Sequence, residues 1–266
     1  MRWFRWLKLA ILLYALIGIA VYYLQDYFLF HPEPLNRSSK LNTNQPHKDI
    51  NIPFDANSNL NIVQFTTAQP GSKGVVLYFH GNRKNIEWYA RFAPNFTRRG
   101  YEVWMIDYPG FGKSTGDFTE ERLYAYAGQL YKLARNRFNK NSIIIYGKSM
   151  GTGIAAQLGS VKDCRMLILE TPYYSLKDLV GHFLPIYPIS RMLHYSLPTN
   201  EYLPKVIAPI IIFQGNDDGV IPYSQASRLK PLLKQSDEFI TIDGGSHNDL
   251  DKYPLYQKKL DTILTR

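Results

Sequence analysis

Residues 142–151 read SIIIYGKSMG, and this stretch decides how the rest of the chain is interpreted. Residues 143–146 are β-branched or aromatic, which predicts a buried strand. Residues 147–151 form the pattern G-x-S-x-G, and the small residues at 152–158 are compatible with a helix. A strand, a sharp turn and a helix in this order predict a nucleophile elbow with Ser149 exposed at its top. The pattern alone is a common turn, so its meaning depends on the residues at the ends of the other predicted strands.

Predicted strands and helices alternate along the chain from about residue 50 to its end. The strands are short apolar runs, as in a sheet that is buried on both faces, and the first two form an antiparallel pair. This alternation predicts an α/β fold with an eight-stranded, mostly parallel sheet and helices on both faces. Strands are predicted at 51–54, 59–66, 75–79, 103–106, 142–146, 166–170, 210–214 and 238–242, and helices at 86–98, 119–138, 150–160, 223–235 and 250–264.

The interval between residues 170 and 210 interrupts this alternation, because it contains no predicted strand and is rich in proline and tyrosine. Such an interval is too long for a plain connection in a compact domain. We therefore expect a small helical cap at about residues 172–208, above the ends of the strands.

Polar turns come directly after four of the predicted strands. In an open α/β sheet the carboxyl ends of the strands lie along the edge where ligands bind, so these turns are expected to meet. Ser, Asp and His occur in that order along the chain, which is the order of a catalytic triad in this type of fold. The four turns are HGN at 80–82, the elbow at 147–151, GNDDGVIP at 215–222 and GGSH at 244–247.

The chemistry of a triad assigns a role to each predicted residue. Ser149 is the nucleophile that attacks a carbonyl carbon, and His247 accepts its proton. Asp218 holds the imidazole in the useful tautomer and stabilises its cation. Asp217 and Glu170 are the alternatives for this acid. Asp217 precedes Asp218 in the same turn, and Glu170 ends the strand that comes after the nucleophile helix.

Two backbone N–H groups are expected to stabilise the oxyanion of the tetrahedral intermediate. One belongs to Met150, directly after the nucleophile, and the other to Asn82, directly after His80-Gly81. We interpret His80 as a structural hydrogen-bonding residue of that turn. Asp107 opens another turn at a strand end and is expected to order it.

Composition and motif content argue against several other classes of protein. The net charge is +9, but the lysines and arginines are scattered and no nucleic-acid-binding motif is present. Attraction to an anionic membrane surface explains the charge more simply. The sequence has no cluster with metal-ligand spacing and no glycine-rich phosphate loop, so we expect neither a metal nor an organic cofactor. The single cysteine, Cys164, excludes an internal disulfide.

The N-terminus carries a candidate membrane segment at residues 9–24, which are apolar and uncharged. As a helix they would reach about 24 Å, short of a hydrocarbon core of ~30 Å. Aromatic residues that suit the membrane interfaces extend the segment on both sides, and Lys8 can reach an interface with its long side chain. The flanking aromatic residues are Trp3, Phe4, Trp6, Tyr27, Phe28 and Phe30.

Charges around this segment predict its orientation. Arg2, Arg5 and Lys8 precede it, whereas Asp26 and Glu33 come after it. The positive-inside rule then places the N-terminus in the cytoplasm and the remaining domain outside it, in a periplasmic or lumenal space.

A cleaved signal peptide is the alternative interpretation, with Gly18 and Ala20 as a small-x-small cleavage site. Cleavage would leave an apolar, aromatic stretch at residues 22–30 as the mature N-terminus, so we favour a retained anchor. The predicted organisation is a membrane anchor at 1–30, a polar linker at 31–49 and an α/β domain at 50–266 that includes the cap.

The polar turns together resemble the α/β-hydrolase superfamily over residues 50–266. More narrowly, the chain is similar to a branch of membrane-anchored serine hydrolases that includes acyl-protein thioesterase-like and serine aminopeptidase-like proteins. The resemblance implies Ser149, Asp218 and His247 as the triad, together with a backbone oxyanion hole. The segments that carry it are HGN at 80–82, DYPGFGKS at 107–114, GKSMG at 147–151, GNDDGVIP at 215–222 and GSH at 245–247.

The expected function is a membrane-anchored serine hydrolase that cleaves a carboxylic ester or thioester through an acyl-enzyme. The apolar cap and the anchor favour an acylated or lipid-like substrate. Two alternatives stay open. One is a serine aminopeptidase-type amide hydrolase, in which Glu170 would hold the substrate amine. The other is a non-enzymatic, membrane-anchored binding module on the same fold.

Overall fold

A computed structural model describes residues 2–67 and 69–265, which leaves Met1, Ala68 and Arg266 outside the described part. Eight of the described strands form one sheet with the order β10-β9-β8-β7-β4-β6-β3-β2, and β1 and β5 form a small parallel pair. The strands are β1 (His31–Pro32), β2 (His47–Asp55), β3 (Ser58–Phe65), β4 (Gly74–Phe79), β5 (Arg83–Lys84), β6 (Tyr101–Ile106), β7 (Ile143–Lys148), β8 (Met166–Glu170), β9 (Ile210–Gly215) and β10 (Glu238–Ile242).

Strands β10, β9, β8, β7, β4 and β6 run parallel to one another. At the other side of the sheet, β3 and β2 add an antiparallel edge. The predicted α/β fold, with its eight-stranded and mostly parallel sheet, is therefore confirmed. The helices are α1 (Arg2–Tyr23), α2 (Gln25–Leu29), α3 (Ile86–Tyr89), α4 (Pro94–Thr97), α5 (Glu120–Arg135), α6 (Gly151–Val161), α7 (Leu176–Phe183), α8 (Ile189–Met192), α9 (Thr199–Tyr202), α10 (Tyr223–Ser227) and α11 (Pro254–Thr265).

The sheet separates two hydrophobic clusters, because successive side chains of a strand point to opposite faces. In β7, Ile143 and Ile145 belong to the cluster under α5 and α6, whereas Ile144 and Tyr146 belong to the cluster under α4 and α11. All six residues of β7 are buried. The central strands are thus covered on both faces, as the continuous apolar runs predict.

Two of the predicted helices are shorter than the sequence pattern indicates. The segment predicted at 86–98 consists of α3, a 3-10 turn and α4, and the segment predicted at 223–235 consists of α10 and then a 3-10 turn. Pro94 and Pro231 each lie in the first turn of a new short helical piece. Proline lacks an N–H and clashes with the preceding turn, so a longer helix cannot run through either position.

The cap consists of α7, α8 and α9, which lie between β8 and β9 in the region where the sequence predicts it. Ser175 begins α7, because its Oγ accepts a hydrogen bond of 3.0 Å from the N–H of Asp178. The cap is joined to α5 by the Glu120 carboxylate, which accepts a hydrogen bond of 2.6 Å from the N–H of Ser196.

The N-terminal helix α1 contains the one described segment that is long and apolar enough to cross a membrane, Trp3–Tyr23. Its second half packs on the cap. The rings of Tyr14 and Tyr187 stack at 4.6 Å between centroids, and the Tyr187 hydroxyl donates to the Tyr14 carbonyl oxygen at 2.9 Å. Gln25 adds two further bonds, because its side chain accepts from the N–H of His194 and donates to the carbonyl oxygen of Met192.

The sequence predicts a linker at 31–49, whereas the structure holds most of this segment against the α/β domain. β1 pairs with β5, Pro34 forms an isolated bridge with Gly112, and Leu41 is buried. β2 then begins at His47. Short polar segments of this kind carry no sequence signal for such long-range pairing.

Phe30 is the residue that fixes the N-terminal segment to the domain. It is only 6% exposed, and its ring lies 4.3 Å from that of Phe118 and 4.9 Å from that of Tyr195, measured between centroids. The prediction of an interfacial position for Phe30 is therefore wrong, because the ring is enclosed by protein.

We expect Phe30→Ala to lower the free energy of unfolding by about 3–5 kcal/mol, since it removes a buried aromatic ring and leaves a cavity. Urea denaturation in detergent measures this change. Tyr27→Ala is the matched control, because Tyr27 is 75% exposed and its loss should change stability by no more than about 0.5 kcal/mol. Equal losses for the two variants would contradict the packing described.

Candidate active site

The turn between β7 and α6 holds Ser149 in a strained backbone conformation. Its φ is +53°, in the left-handed region that residues other than glycine rarely adopt. The close approach of strand and helix explains this strain. A Cβ on Gly147 would lie 2.5 Å from the Gly151 carbonyl oxygen, and a Cβ on Gly151 would lie 2.1 Å from that of Phe79. The two glycines of the motif are therefore required by packing, and Ser149 takes the strained position between them.

The structure brings the three predicted triad residues together from separate turns. The Oγ of Ser149 lies 3.0 Å from Nε2 of His247, and Nδ1 of His247 lies 2.8 Å from Oδ2 of Asp218. Ser149 comes after β7, Asp218 after β9 and His247 after β10, so all three lie at the carboxyl edge of the sheet. A hydroxyl, an imidazole and a carboxylate in this chain of contacts can activate the hydroxyl as a nucleophile.

The geometry selects Asp218 rather than Asp217 as the partner of His247. Oδ1 of Asp218 accepts hydrogen bonds of 2.8 Å from the N–H groups of Val220 and Ile221, which aim Oδ2 at the imidazole. Burial raises the pKa of Asp218, but the hydrogen bond and charge of His247 and the two backbone N–H groups outweigh it, and the pKa lies below its usual value. The Asp217 side chain is exposed.

The two predicted oxyanion residues line the same cavity as Ser149. Within the described residues, the N–H groups of Asn82 and Met150 donate to no other protein group. The Asn82 turn is fixed from several sides. Its side-chain amide donates to the Leu29 carbonyl oxygen at 2.5 Å, its own carbonyl oxygen accepts from the N–H of His31 at 2.9 Å, and Nδ1 of the buried His80 lies 2.8 Å from the Gly81 carbonyl oxygen.

Comparisons with known proteins agree with this fold. The family model described as serine aminopeptidase, S33, matches residues 70–199, which include Ser149 and end before Asp218. An esterase of Pyrococcus furiosus superposes with a TM-score of 0.69 at 16% identity, over 90% of this chain and 98% of that chain. A monoglyceride lipase of Saccharomyces cerevisiae superposes with a TM-score of 0.64 at 16% identity, over 86% of this chain and 98% of that chain.

Two curated relatives add to this result. Alpha/beta hydrolase domain-containing protein 17C of Xenopus tropicalis is 28% identical over 206 residues, 76% of this chain and 64% of that protein. Alpha/beta hydrolase domain-containing protein 17B of Homo sapiens is 26% identical over 207 residues, which are 76% of this chain and 70% of that protein. The chain has the α/β-hydrolase fold and is similar in sequence to members of that superfamily. The chain matches slightly less than two thirds of the length of the first relative and slightly more than two thirds of the second.

A buried ion pair, which we did not predict from the sequence, lies beneath Ser149 and His247. Nζ of Lys148 donates to Oε1 of Glu170, and both side chains are almost completely buried. Lys148 also donates to the carbonyl oxygen of His247 at 3.1 Å. The other oxygen of Glu170 accepts from the hydroxyls of Tyr146 and Tyr256. The pair therefore connects the elbow to the loop that carries the histidine.

The ion pair also removes Glu170 from the set of candidate functional acids. Its carboxylate is occupied by Lys148 and two tyrosines, and it does not line the cavities that contain Ser149. A signal for the pair was present in the sequence. Lys148 and Glu170 end neighbouring parallel strands and are register partners. Glu170 ends one predicted strand, and Lys148 lies two residues beyond the end of the other, so their opposite charges indicated a possible pair.

Ser149 lies between two cavities of different chemical character. The first has a volume of about 190 Å³, lies under α7 and is almost entirely apolar. The second has a volume of about 220 Å³, includes His247 and is rich in basic and aromatic side chains. The first is lined by Phe28, Leu29, Phe30, Asn82, Ser149, Met150, Tyr173, Leu176, Leu179, Val180, Phe183, Val220 and Ile221. The second is lined by Asn82, Arg83, Lys84, Trp88, Tyr89, Lys148, Ser149, His247 and Asn248.

The apolar cavity contains residues of the N-terminal segment, which the sequence pattern assigned to the membrane interface. Phe28, Leu29 and Phe30 form one side of it, opposite the cap. In residues 2–67 and 69–265 no group of three or more His, Cys, Asp or Glu side chains is arranged to hold a metal ion. The site consists of the contacts from Ser149 through His247 to Asp218, the backbone N–H groups of Asn82 and Met150, and two cavities.

We expect Lys148→Met to lower the free energy of unfolding by about 3–5 kcal/mol, because it leaves the Glu170 carboxylate buried without its cation. Adding Glu170→Gln should recover part of this loss, since the amide oxygen still accepts from the tyrosines and no charge is left unpaired. Lys140→Met is the control, because Lys140 forms an exposed pair with Asp163 worth at most about 1 kcal/mol. Urea denaturation measures all three, and similar losses for the two single variants would refute the proposed importance of the pair.

Proposed function

We propose that this protein is a membrane-anchored serine hydrolase that cleaves a carboxylic ester or thioester through an acyl-enzyme intermediate. One observation carries the proposal. Ser149, on a strained elbow, is hydrogen-bonded to His247, and His247 is hydrogen-bonded to Asp218, at the border of an apolar cavity. This is the arrangement that serine-dependent acyl transfer requires.

The proposed reaction starts with attack of Ser149 Oγ on the substrate carbonyl carbon while Nε2 of His247 takes the hydroxyl proton. Asp218 keeps the imidazole oriented and stabilises its cation. The N–H groups of Asn82 and Met150 stabilise the oxyanion of the tetrahedral intermediate. The intermediate collapses when His247 returns the proton to the leaving alcohol or thiol. Water, deprotonated by His247, then attacks the acyl-enzyme and releases the acid and the free serine.

The two cavities support a substrate with an apolar acyl part and a polar leaving group. The apolar cavity under α7 suits the acyl chain, since its lining away from Ser149 and the two oxyanion donors is mostly apolar. The cavity beside His247 suits the leaving group, because the proton for that group comes from His247. The structural neighbours include an esterase and a monoglyceride lipase, which also supports an ester substrate.

The two alternative functions have less support. An aminopeptidase needs an acidic group for the substrate amine, and the Glu170 carboxylate is already paired with Lys148. A binding module has no need of a complete chain of hydrogen bonds from Ser149 to Asp218. The strain stored at Ser149 also favours catalysis, because strained residues are retained where function uses them.

The membrane part of the proposal is supported by α1. Its apolar segment, Trp3–Tyr23, measures about 31 Å at ~1.5 Å per residue, enough to span a hydrocarbon core. Arg2, Arg5 and Lys8 lie at its N-terminal end, whereas Asp26 and Glu33 come after it, so we propose a cytoplasmic N-terminus and an extracytoplasmic catalytic domain.

The hydrolysis of p-nitrophenyl butyrate tests the catalytic roles. We expect wild type to hydrolyse it, Ser149→Ala to lose about 10⁶-fold in kcat and Asp218→Asn to lose about 10⁴-fold, because asparagine favours the wrong tautomer of His247. Asp217→Asn is the matched control, one residue away and exposed, and should stay within about twofold of wild type. A Ser149→Ala variant as active as wild type would exclude the mechanism, and equal effects at 217 and 218 would exclude Asp218 as the triad acid.

The orientation has its own test. We expect alkaline phosphatase fused to the C-terminus of the full chain, in a bacterial host, to be active, because this reporter folds only outside the cytoplasm. A matched β-galactosidase fusion should be inactive. The reverse pattern would place the catalytic domain in the cytoplasm.

A further inference from the structure

A second apolar cavity continues from the Ser149 cavity towards α1. Its volume is about 350 Å³, and it shares Phe28, Leu29 and Val180 with the cavity at Ser149. We call it the α1 groove. Its lining residues are Ile17, Ala20, Val21, Gln25, Phe28, Leu29, Val180, Leu184 and Leu193. The shared residues show that the two cavities are adjacent, and that the second lies on the side of the candidate membrane helix.

One face of α1 forms a wall of this groove. Ile17, Ala20 and Val21 stand at positions i, i+3 and i+4, so their side chains lie on the same side of the helix. Leu184, at the end of α7, lies across from them. The wall is therefore built jointly by the candidate membrane helix and the cap.

The α1 groove offers no free polar group to a ligand. Gln25 is its polar lining residue, and it is 3% exposed. Its amide nitrogen donates to the carbonyl oxygens of Tyr22 and Met192, and its amide oxygen accepts from the N–H of His194. Gln25 thus joins α1 to the cap and leaves the groove suited to a hydrocarbon chain.

If α1 spans the bilayer, the part of the groove at Ile17 lies at the depth of lipid chains, since Ile17 is six residues, about 9 Å, before the end of α1 at Tyr23. Tyr14, which stacks on Tyr187 of the cap, lies nine residues before Tyr23, about 13 Å along the helix. If α1 spans the bilayer, this part of the cap lies beside its hydrocarbon region. Phe183 and Ile186 of the cap are 56% and 69% exposed, as expected of side chains in contact with lipid.

We propose that the α1 groove binds the distal part of a long acyl chain whose carbonyl lies at Ser149, and that this chain enters from the bilayer between α1 and α7. The proposal rests on the proposed function and adds the substrate class, an ester or thioester of a long-chain acid. The length of the groove then determines which acyl-chain lengths the enzyme prefers. Each additional buried methylene should raise kcat/KM by about fourfold until the groove is full.

The test compares p-nitrophenyl laurate with p-nitrophenyl butyrate in mixed micelles, using the full chain. Wild type should prefer laurate. Val21→Trp and Leu184→Trp fill the groove at points away from Ser149, and each should lower the laurate-to-butyrate ratio of kcat/KM by at least about 10-fold. Ile19→Trp is the matched control, because Ile19 is 55% exposed on another face of α1 and should leave the ratio within about twofold.

The outcomes separate the two proposals. Wild type that hydrolyses neither ester contradicts the proposed function. Wild type that hydrolyses butyrate without preferring laurate, or Trp variants that keep the wild-type ratio, overturn the groove proposal alone.

A second measurement needs no variant that has to fold. A fluorophosphonate with a dodecyl chain and a terminal diazirine is allowed to phosphonylate Ser149 of wild type, with loss of fluoride, and the adduct is then irradiated. Cross-links within 17–29 or 180–193 are the expected result. Cross-links confined to other parts of the chain overturn the proposal.

Discussion

The close approach of β7 and α6 is the constraint on which the rest of the site depends. A Cβ on Gly147 in β7 would clash with the start of α6, and a Cβ on Gly151 in α6 would clash with the end of β4, so α6 meets both strands with almost no space between them. The chain must reverse direction within this contact, and Ser149 takes a φ of +53° as a result. The strain lifts the hydroxyl above the sheet edge and sets the Met150 N–H beside it. The turns that carry Asp218, His247 and Asn82 meet at the Ser149 hydroxyl.

Two kinds of interaction hold those turns in place. Below the elbow, the buried Lys148–Glu170 pair joins two strand ends and also binds the carbonyl oxygen of His247. Buried charges cost free energy unless both are paired and hydrogen-bonded, and here two tyrosine hydroxyls complete the set. Above the elbow, the N-terminal segment closes the Ser149 cavity and fixes the Asn82 turn through the Leu29 carbonyl oxygen. The residues that come after the candidate membrane segment thus contribute directly to the geometry of the site.

The sheet could be predicted from local patterns, because apolar runs define the strands. The three residues that we propose as the triad were found in the turns after three of these strands. The choice of Asp218 over Asp217 needed the structure, since only the N–H groups of Val220 and Ile221 show which carboxylate turns inward. The packing of Phe30 and the α1 groove were not predictable either. Both depend on contacts between residues more than 80 positions apart, and their apolar side chains are equally compatible with a membrane interface. Pro94 and Pro231, in contrast, are local sequence signals for the two interrupted helices, although the predicted helices ran through both positions.

The central claim is that Ser149 is an activated nucleophile, and covalent labelling tests it most directly. The full chain in detergent is treated with a fluorophosphonate probe, and the labelled peptide is identified by mass spectrometry. We predict stoichiometric labelling at Ser149, strongly slowed labelling in His247→Ala and none in Ser149→Ala. A folded wild-type protein that stays unlabelled, or a Ser149→Ala variant labelled as fast as wild type, would contradict this claim.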